Sequence, residues 1–248
     1  MERWSNRVAV VTGASSGIGE AIAADLVKAG LKVVALARRE DKVQENRSKL
    51  PRDLQSKFYP RKCDVSSEAE VKATFDWIEK TLGGVDILVN NAGCSRRGML
   101  LDMDTADMDT VLNTNVKGLV YCIQAAYKSM KQRNFAGHIV HINSIAGHKP
   151  IDMGKDISFN IYAASKYSVT AINETIRNEL RHLGTKIKTT SISPGLVRTE
   201  IAPKIFFDSF EEKVLNPEDI SQAVLYAIST PPHVQIHEIT IKPVGEHF

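Results

Sequence analysis

Tyr162 and Lys166 are the residues whose types and spacing point most directly to chemistry. They lie four positions apart in a segment of helical periodicity, so their side chains share one helix face. Reduction of a carbonyl needs a proton donor at the nascent alkoxide, and oxidation of an alcohol needs a base at the same oxygen. A phenol with a pKa near neutrality can do both, and a lysine ammonium about 4 Å away, together with the charge of an oxidised nicotinamide, is of the right order to bring it there. The pair predicts acid–base catalysis of a hydride transfer, although Tyr-x-x-x-Lys also occurs by chance on helix surfaces.

Ser144 and Asn115 are two further candidates for the same reaction. Ser144 follows the fifth predicted strand, at the carboxyl edge of the sheet where ligands of such folds bind, and its hydroxyl can hydrogen-bond the reacting oxygen. Asn115 is a polar residue in the middle of a predicted helix and could hold a proton-relaying water. The alternative for Asn115 is a buried amide whose hydrogen bonds are satisfied within the protein.

A glycine-rich segment, residues 12–19, follows the first predicted strand and opens a predicted helix. Glycines let the backbone turn sharply and approach a pyrophosphate, whose charge is stabilised by backbone N–H groups and by the helix dipole. The glycines do not follow the usual G-x-G-x-x-G spacing, and a bare turn is the alternative. The predicted phosphate-binding residues are Gly13, Ser15, Ser16, Gly17, Ile18 and Gly19.

Arg38 and Arg39 end the second predicted strand, where an NAD-binding fold would place an acidic residue for the adenosine ribose. A guanidinium makes paired, charge-assisted hydrogen bonds to phosphate, so these residues favour the 2′-phosphate of NADP. Solvated surface arginines are the alternative. After the third strand, Asp64 and Val65 are predicted to contact the adenine, although Asp64 could equally cap its own loop. The predicted cofactor is NADP(H).

The elements that must position these residues alternate between strands and helices. Such alternation predicts an α/β fold, a single-domain Rossmann-type doubly wound sheet of about seven parallel strands with helices on both faces. The predicted strands are Val8 to Val11, Lys32 to Ala37, Lys57 to Cys63, Asp86 to Asn90, His138 to Asn143, Lys186 to Ser193 and Gln235 to Lys242. The predicted helices are Gly17 to Ala29, Glu68 to Leu82, Asp107 to Arg133, Ile161 to Leu183 and Pro217 to Ser229, with a weaker one at Asp41 to Leu50.

Length and composition limit the class of protein. The 248 residues, 43% hydrophobic and 25% charged, suit one α/β domain, and we expect residues 1–248 to form a single NADP-binding and catalytic domain. The net charge of +3 is spread along the chain, which argues against a nucleic-acid partner. The three cysteines indicate neither a disulfide framework nor a zinc site. Without a membrane-length apolar run or a signal-peptide pattern, a cytoplasmic location is expected.

Taken together, these motifs resemble the classical short-chain dehydrogenase/reductase family over essentially the whole chain. The glycine loop, the Asn90 to Gly93 segment and a complete Asn115, Ser144, Tyr162 and Lys166 tetrad recur in the family's order. The resemblance implies that Lys166 and Tyr162 also contact the cofactor. It further implies cofactor contacts from Asn91, Ala92, Gly93, Pro194, Gly195, Val197 and Thr199.

A narrower resemblance is to the dehydrogenase/reductase member eleven proteins and insect farnesol dehydrogenase-like enzymes. It rests on the opening Met-Glu-Arg-Trp, on the Arg38-Arg39 pair and on the segment from His233 to His237. The interval from Ser144 to Tyr162 is also longer than is usual in the broad family. We therefore expect residues 147–160 to add a loop beside the substrate.

The substrate is expected to be a small hydrophobic alcohol or ketone. The family places a lid over its substrate after Thr199, and aromatic residues there favour an apolar ligand such as a prenyl chain or a steroid. Ordinary packing of these aromatic residues into the core is the alternative. Oxidation of a prenyl alcohol such as farnesol is preferred; NADPH-dependent reduction of hydrophobic ketones and a non-catalytic scaffold are the alternatives. By the same resemblance, the two long helices at 107–133 and 161–183 predict a homodimer or homotetramer. The predicted lid residues are Ile205, Phe206, Phe207 and Phe210.

Overall fold

A parallel seven-stranded sheet forms the centre of the protein, whose structure is a computed structural model that describes residues 1–151, 158–202 and 213–246. The strands are β1 (Val8–Thr12), β2 (Lys32–Ala37), β3 (Phe58–Lys62), β4 (Ile87–Asn90), β5 (His138–Ile142), β6 (Lys188–Pro194) and β7 (Glu238–Ile241). They follow the spatial order β3-β2-β1-β4-β5-β6-β7, and every neighbouring pair is parallel. This confirms the predicted fold class.

Helices cover both faces of the sheet because successive strand residues point to opposite sides. In β1, Ala9 and Val11 join one buried apolar cluster, and Val8 and Val10 join another on the opposite face. The helices are α1 (Gly17–Lys28), α2 (Glu40–Lys49), α3 (Glu68–Leu82), α4 (Thr105–Leu112), α5 (Leu119–Gln132), α6 (Asn160–His182) and α7 (Pro217–Ser229). The first cluster also takes residues from α1, α2 and α7, and the second takes residues from α3, α5 and α6.

The predicted helix from Asp107 to Arg133 differs most from the structure. It begins earlier, at Thr105, because the Asp104 carboxylate accepts a hydrogen bond from the N–H of Ala106. A π-helical segment, Asn113–Gly118, then separates α4 from α5. Such wider turns often mark functional positions, and this one contains a candidate catalytic residue.

The predicted second strand, Lys32 to Ala37, is confirmed as β2, and the boundaries of the other six strands shift by one to three residues. The fourth strand begins one residue later than predicted, the fifth ends one residue earlier, and the sixth begins two residues later and ends one residue later. The predicted third and seventh strands were too long, because β3 spans Phe58–Lys62 and β7 only Glu238–Ile241. The first strand was too short, since β1 continues to Thr12. Among the described residues, no helix combines the length and apolar character needed to cross a membrane.

Strand order explains where a ligand site can form. β1 lies between β2 and β4, so the connections that follow β1 and β4 lead to opposite sides of the sheet. The loops diverge there and leave a crevice at the carboxyl edge, the general ligand site of open α/β sheets. The glycine segment after β1 and the Asn91 segment after β4 flank this crevice.

Candidate active site

One cavity of about 1370 Å³ occupies the carboxyl edge of the sheet. It is bordered by residues that end or follow β1 through β6, so the crossovers bring together segments far apart in sequence. Almost all predicted site residues within the described ranges line it; the exceptions are Gly19 and Asn115. The predicted residues at its wall are Gly13, Ser15, Ser16, Gly17, Ile18, Arg38, Arg39, Asp64, Val65, Asn91, Ala92, Gly93, Ser144, Tyr162, Lys166, Pro194, Gly195, Val197 and Thr199.

Thr12 and Asn91 join the glycine segment to the end of β4. The buried Thr12 hydroxyl oxygen accepts hydrogen bonds from the backbone N–H groups of Asn91 and Ala92, both at 3.0 Å. In return, the Asn91 amide Nδ2 donates to the carbonyl oxygens of Thr12 at 2.9 Å and Gly13 at 3.1 Å. Two loops from opposite sides of the crevice are therefore held in register.

The glycines make the close approaches that this arrangement requires. Gly13 has φ +67°, and a Cβ there would lie 2.8 Å from Cα of Ala92. A Cβ at Gly17 would lie 3.0 Å from Thr199 Cγ2, and one at Gly19 would clash with the Asn91 amide and the Gly13 carbonyl. Gly19 therefore supports the loop from beneath rather than lining the cavity. A shallow backbone cradle of this kind fits a pyrophosphate.

Ser16 precedes α1 in extended conformation but does not cap the helix with its side chain. Its hydroxyl instead donates to Glu200 Oε2 at 3.1 Å and lies 3.1 Å from Nη2 of Arg39. Because the capping serine is directed elsewhere, the start of α1 remains available to bind an anion. Of the two predicted phosphate-binding arginines, Arg39 is thus already in contact with the glycine segment. Arg38 is exposed at the cavity wall.

Asp64 lines the cavity, but its carboxylate is engaged locally. Oδ1 accepts hydrogen bonds from the N–H of Ser66 at 3.0 Å and from its hydroxyl at 2.7 Å. This is the loop-capping arrangement that the sequence left open as the alternative. The adenine contact proposed for Asp64 is therefore not the only role of this side chain.

Tyr162, Lys166 and Ser144 come together at the inner part of the cavity. The hydroxyls of Ser144 and Tyr162 are hydrogen-bonded, and Ser144 Oγ also accepts from the N–H of Ala146 at 3.1 Å. The buried Lys166 ammonium donates to the carbonyl oxygen of Ile142 at 2.9 Å and lies 5.7 Å from the centroid of the Tyr162 ring. The helical spacing thus places both side chains on one face, directed at the loop that follows β5.

Burial dominates the electrostatics of this cluster. It raises the pKa of Tyr162 to about 12, although the hydrogen bond with Ser144 acts in the opposite direction. Burial also lowers the pKa of Lys166 to about 8. The sequence predicts that the Lys166 ammonium lowers the pKa of Tyr162 towards neutrality. The protein groups alone do not produce this shift, because the ammonium is itself buried and donates its hydrogen bond to the carbonyl oxygen of Ile142. At neutral pH, the cluster holds Tyr162 as a proton donor.

Asn115 lies behind the cavity wall in the π-helical segment. Its Oδ1 accepts from the N–H of Cys94 at 2.8 Å, and its Nδ2 donates to the Cys94 carbonyl at 2.9 Å and to Ser165 Oγ at 3.0 Å. The side chain is therefore satisfied within the protein, which was the alternative for this residue. It fixes the loop after β4 to α6, one turn from Tyr162.

Among the cavity residues that were not singled out in the sequence are Cys94, Arg97 and Glu200. Cys94 is a partly buried thiol at the cavity wall. Arg97 is exposed at the outer wall, and Glu200 joins Ser16 and Arg39. No motif marks Cys94 or Arg97, whereas Glu200 directly follows the predicted cofactor residue Thr199.

Apolar side chains also border the cavity. Ile151, Phe159 and Ile201 lie in its wall, so the described ends of the 147–160 loop line it. The predicted lid residues Ile205, Phe206, Phe207 and Phe210 lie outside the described residues.

The chain is similar to proteins of one family over most of its length. The family model described as short chain dehydrogenase matches residues 7–208. The chain is 56% identical to the farnesol dehydrogenase of Aedes aegypti over 249 residues, covering 100% of both chains. It is 42% identical to the human dehydrogenase/reductase SDR family member 11, covering 99% of this chain and 97% of the relative.

Solved structures show the same likeness. A closed form of serine dehydrogenase complexed with NADP⁺ superimposes with a TM-score of 0.87 at 32% identity, covering 97% of this chain and 96% of the other. An actinorhodin polyketide ketoreductase variant with NADPH gives a TM-score of 0.83 at 28% identity, covering 95% of each chain.

Proposed function

The chain belongs to the short-chain dehydrogenase family and is an oxidoreductase, and from that premise we propose that it moves a hydride between NADP(H) and a hydrophobic alcohol or carbonyl compound. The observation that carries the proposal is that one cavity is lined both by the glycine segment and by Tyr162, Lys166 and Ser144. A phosphate cradle and a proton donor thus share one space. Residues 1–248 are proposed to act as a single NADP-binding and catalytic domain.

Two observations support NADP(H) as the cofactor. The glycine approaches and the uncapped start of α1 form a cradle that fits a pyrophosphate, and Arg38 and Arg39 add positive charge at the end of β2. Similar solved structures carry NADP⁺ or NADPH. The segments after β4 and β6, which contain Gly93 and Thr199, would hold the nicotinamide end.

When bound, the nicotinamide supplies the hydride donor or acceptor. The protein supplies the proton and the positions of the reacting groups. Tyr162, held in its acid form, is placed to donate a proton to the nascent alkoxide during reduction, and Ser144 can hydrogen-bond the same oxygen. During oxidation the same phenol must act as base, which requires positive charge beyond what Lys166 provides in the protein alone. Asn115 keeps the wall opposite Tyr162 in place through Cys94.

For the substrate we propose a prenyl alcohol such as farnesol. The apolar side chains of Ile151, Phe159 and Ile201 in the cavity lining favour an extended hydrocarbon over a polar sugar. A relative that is 56% identical is named farnesol dehydrogenase. The second candidate is NADPH-dependent reduction of steroid or other hydrophobic ketones, which the acid form of Tyr162 favours.

The direct test follows the absorbance of the reduced nicotinamide with purified protein. NADP⁺ and NAD⁺ are each offered with farnesol, geraniol, steroid alcohols and short alcohols, and the matching carbonyl compounds are offered with NADPH and NADH. Oxidation of prenyl alcohols with NADP⁺ supports the proposal. Reduction of ketones alone moves the assignment to the second candidate, and a strong preference for NAD⁺ contradicts the roles given to Arg38 and Arg39.

Tyr162→Phe tests whether the protein is an enzyme rather than a nucleotide-binding scaffold. Removal of the proton donor is expected to reduce turnover by roughly 10²- to 10⁴-fold, because that is the usual contribution of a positioned acid–base group. Nucleotide binding should be retained. Tyr127→Phe, on α5 and outside the cavity wall, is the matched control. Equal turnover in both variants and the unmodified protein would refute the role of Tyr162.

A homodimer or homotetramer is also proposed, with α5 and α6 as the contact helices. Light scattering at micromolar concentration should give a multiple of the 27.4 kDa chain mass. A mass equal to one chain contradicts this assembly. The cytoplasmic location stays a prediction from the sequence.

A further inference from the structure

Glu200 forms a bridge across the cavity that no motif indicates. Its Oε2 atom lies 2.8 Å from Nη2 of Arg39 and accepts a hydrogen bond from Ser16 Oγ at 3.1 Å. The same Arg39 nitrogen lies 3.1 Å from Ser15 Oγ. Arg39 follows β2 and Glu200 follows β6, so one carboxylate connects opposite walls of the nucleotide groove.

The groups around this carboxylate are those that a phosphate uses. A guanidinium and two serine hydroxyls beside the start of α1 form a cluster of donors, and phosphate prefers such a cluster. Glu200 places an acceptor oxygen and a negative charge at the same donors. A carboxylate and a phosphate cannot both use Arg39 Nη2 and Ser16 Oγ in this geometry without strong repulsion.

The bridge is weak enough to be exchanged. The Glu200 side chain is 64% exposed and the Arg39 side chain 50%, and ion pairs this exposed contribute little to stability. The pKa of Glu200 is lowered by its hydrogen bond from Arg39, so the carboxylate is ionised at neutral pH. Arg38, beside the pair, makes no side-chain hydrogen bond or ion pair with the residues that the structure describes.

We propose that Glu200 is a specificity-determining residue for the nucleotide: its carboxylate competes with the ribose 2′-phosphate for Arg39 and Ser16. A nucleotide with a 2′-phosphate must displace Glu200, whereas one without it leaves the Arg39–Glu200 pair intact, since a pyrophosphate needs only the backbone N–H groups of the glycine segment and the start of α1. Glu200 therefore selectively weakens binding of the nucleotide that carries a 2′-phosphate. As a result, the protein's affinities for the nucleotides with and without this phosphate become more similar. This inference rests on the proposed NADP(H) function.

Calorimetric titration with 2′,5′-ADP and with ADP tests the competition without any turnover. Glu200→Gln is expected to bind 2′,5′-ADP roughly threefold to tenfold more tightly, because an exposed ion pair and a like-charge repulsion are both removed. Its affinity for ADP should change less than about twofold, since ADP does not need the Arg39 donors. Glu200→Ala should likewise bind 2′,5′-ADP more tightly than the unmodified protein does. Glu179→Gln, an equal charge change at an exposed position in α6, is the matched control and should change neither affinity.

A second variant separates competition from a general charge effect. In an Arg39→Gln background, Glu200→Gln should tighten 2′,5′-ADP less than it does in the unmodified protein, because the ion pair with the shared donor is already gone and only the repulsion and the Ser16 bond remain to be removed. Equal affinities for 2′,5′-ADP in the unmodified protein and in Glu200→Gln would overturn the proposal, as would an equal gain for ADP. A third outcome separates the two proposals: the unmodified protein binds ADP more tightly than 2′,5′-ADP, and Glu200→Gln reverses this order. The competing role of Glu200 is then confirmed, while the proposed preference of the unmodified protein for NADP is refuted. If neither nucleotide binds the unmodified protein or the variants, both proposals fail.

Discussion

Lys166 carries a charge that burial disfavours, and its removal should stabilise the protein even as it destroys activity. Burial lowers the pKa of Lys166 from 10.5 to about 8. Lowering a pKa by one corresponds to about 1.4 kcal/mol, so keeping the ammonium charged inside the fold at pH 7 costs about 3 kcal/mol. Lys166→Met removes this cost but leaves the Ile142 carbonyl without its donor, a loss of about 1 kcal/mol. The expected net gain at pH 7, without nucleotide, is about 2 kcal/mol.

The sign of the pH dependence distinguishes this cause from improved packing. A lysine whose folded pKa is lowered binds fewer protons in the folded than in the unfolded state between about pH 8 and 10.5. The unmodified protein therefore gains stability relative to Lys166→Met as the pH rises through this window. By pH 10 the charge penalty should fall to about 1 kcal/mol, so the variant's advantage should nearly vanish.

Urea unfolding of both proteins at pH 7 and pH 10 measures this difference. Other groups titrate alike in the two chains and cancel in the comparison. Lys72→Met, an exposed lysine of α3, is the control and should show no such pH dependence. A stability difference that stays constant between pH 7 and 10, or a Lys166→Met protein that is less stable at pH 7, would refute the assignment of the penalty to the buried charge.

Three further predictions concern the core beneath the cavity. Thr12→Val should destabilise the protein by about 1–3 kcal/mol in urea unfolding, because two partly buried N–H groups lose their acceptor; Thr12→Ser should retain most of the stability, and equal losses would contradict this reason. Gly19→Ala should cost about 1–3 kcal/mol and weaken nucleotide binding through its clash with Asn91, whereas unchanged unfolding and titration curves would show that the loop can move aside. His138 and His141 have pKa values lowered to about 3 by burial, so stability should be full above about pH 6.5 and fall by up to about 3 kcal/mol per pH unit on acidification. Replacing both with Gln should flatten that fall between pH 6.5 and 4, and an unchanged slope would assign the acid lability to other groups.

The fold was predictable because its signals are local and repeated. The buried strands are short apolar runs, and the helices between them carry apolar residues at helical spacing. Asn216 before α7 forms the reciprocal capping arrangement with Asp219, so this helix starts where the sequence predicts. The ends of the strands were harder to predict, because hydrogen bonding to the neighbouring strand, rather than residue type, decides where a strand stops. The short β7, at the sheet edge next to β6, shows this.

The site residues were predictable where a motif joins spacing to chemistry. Tyr162 and Lys166 share a helix face by their spacing, and the glycines after β1 indicate a close backbone approach by their residue type alone. The pKa of Tyr162 was not predictable in the same way. It depends on how much water the surrounding loops exclude and on which carbonyl accepts from the Lys166 ammonium, and the spacing of two residues determines neither.

The hydrogen-bond partners of Asn115 and Glu200 were not predictable either, because they lie far away along the chain. Asn115 contacts Cys94 and Ser165, and Glu200 contacts Arg39 across the groove. Each contact joins segments that different crossovers bring to one edge of the sheet, so the polar residue alone does not reveal its partner. A motif therefore indicates which atoms are candidates for the reaction. Their polar partners are defined only by the way the crossovers are placed in space, and the role proposed for Glu200 depends on that placement.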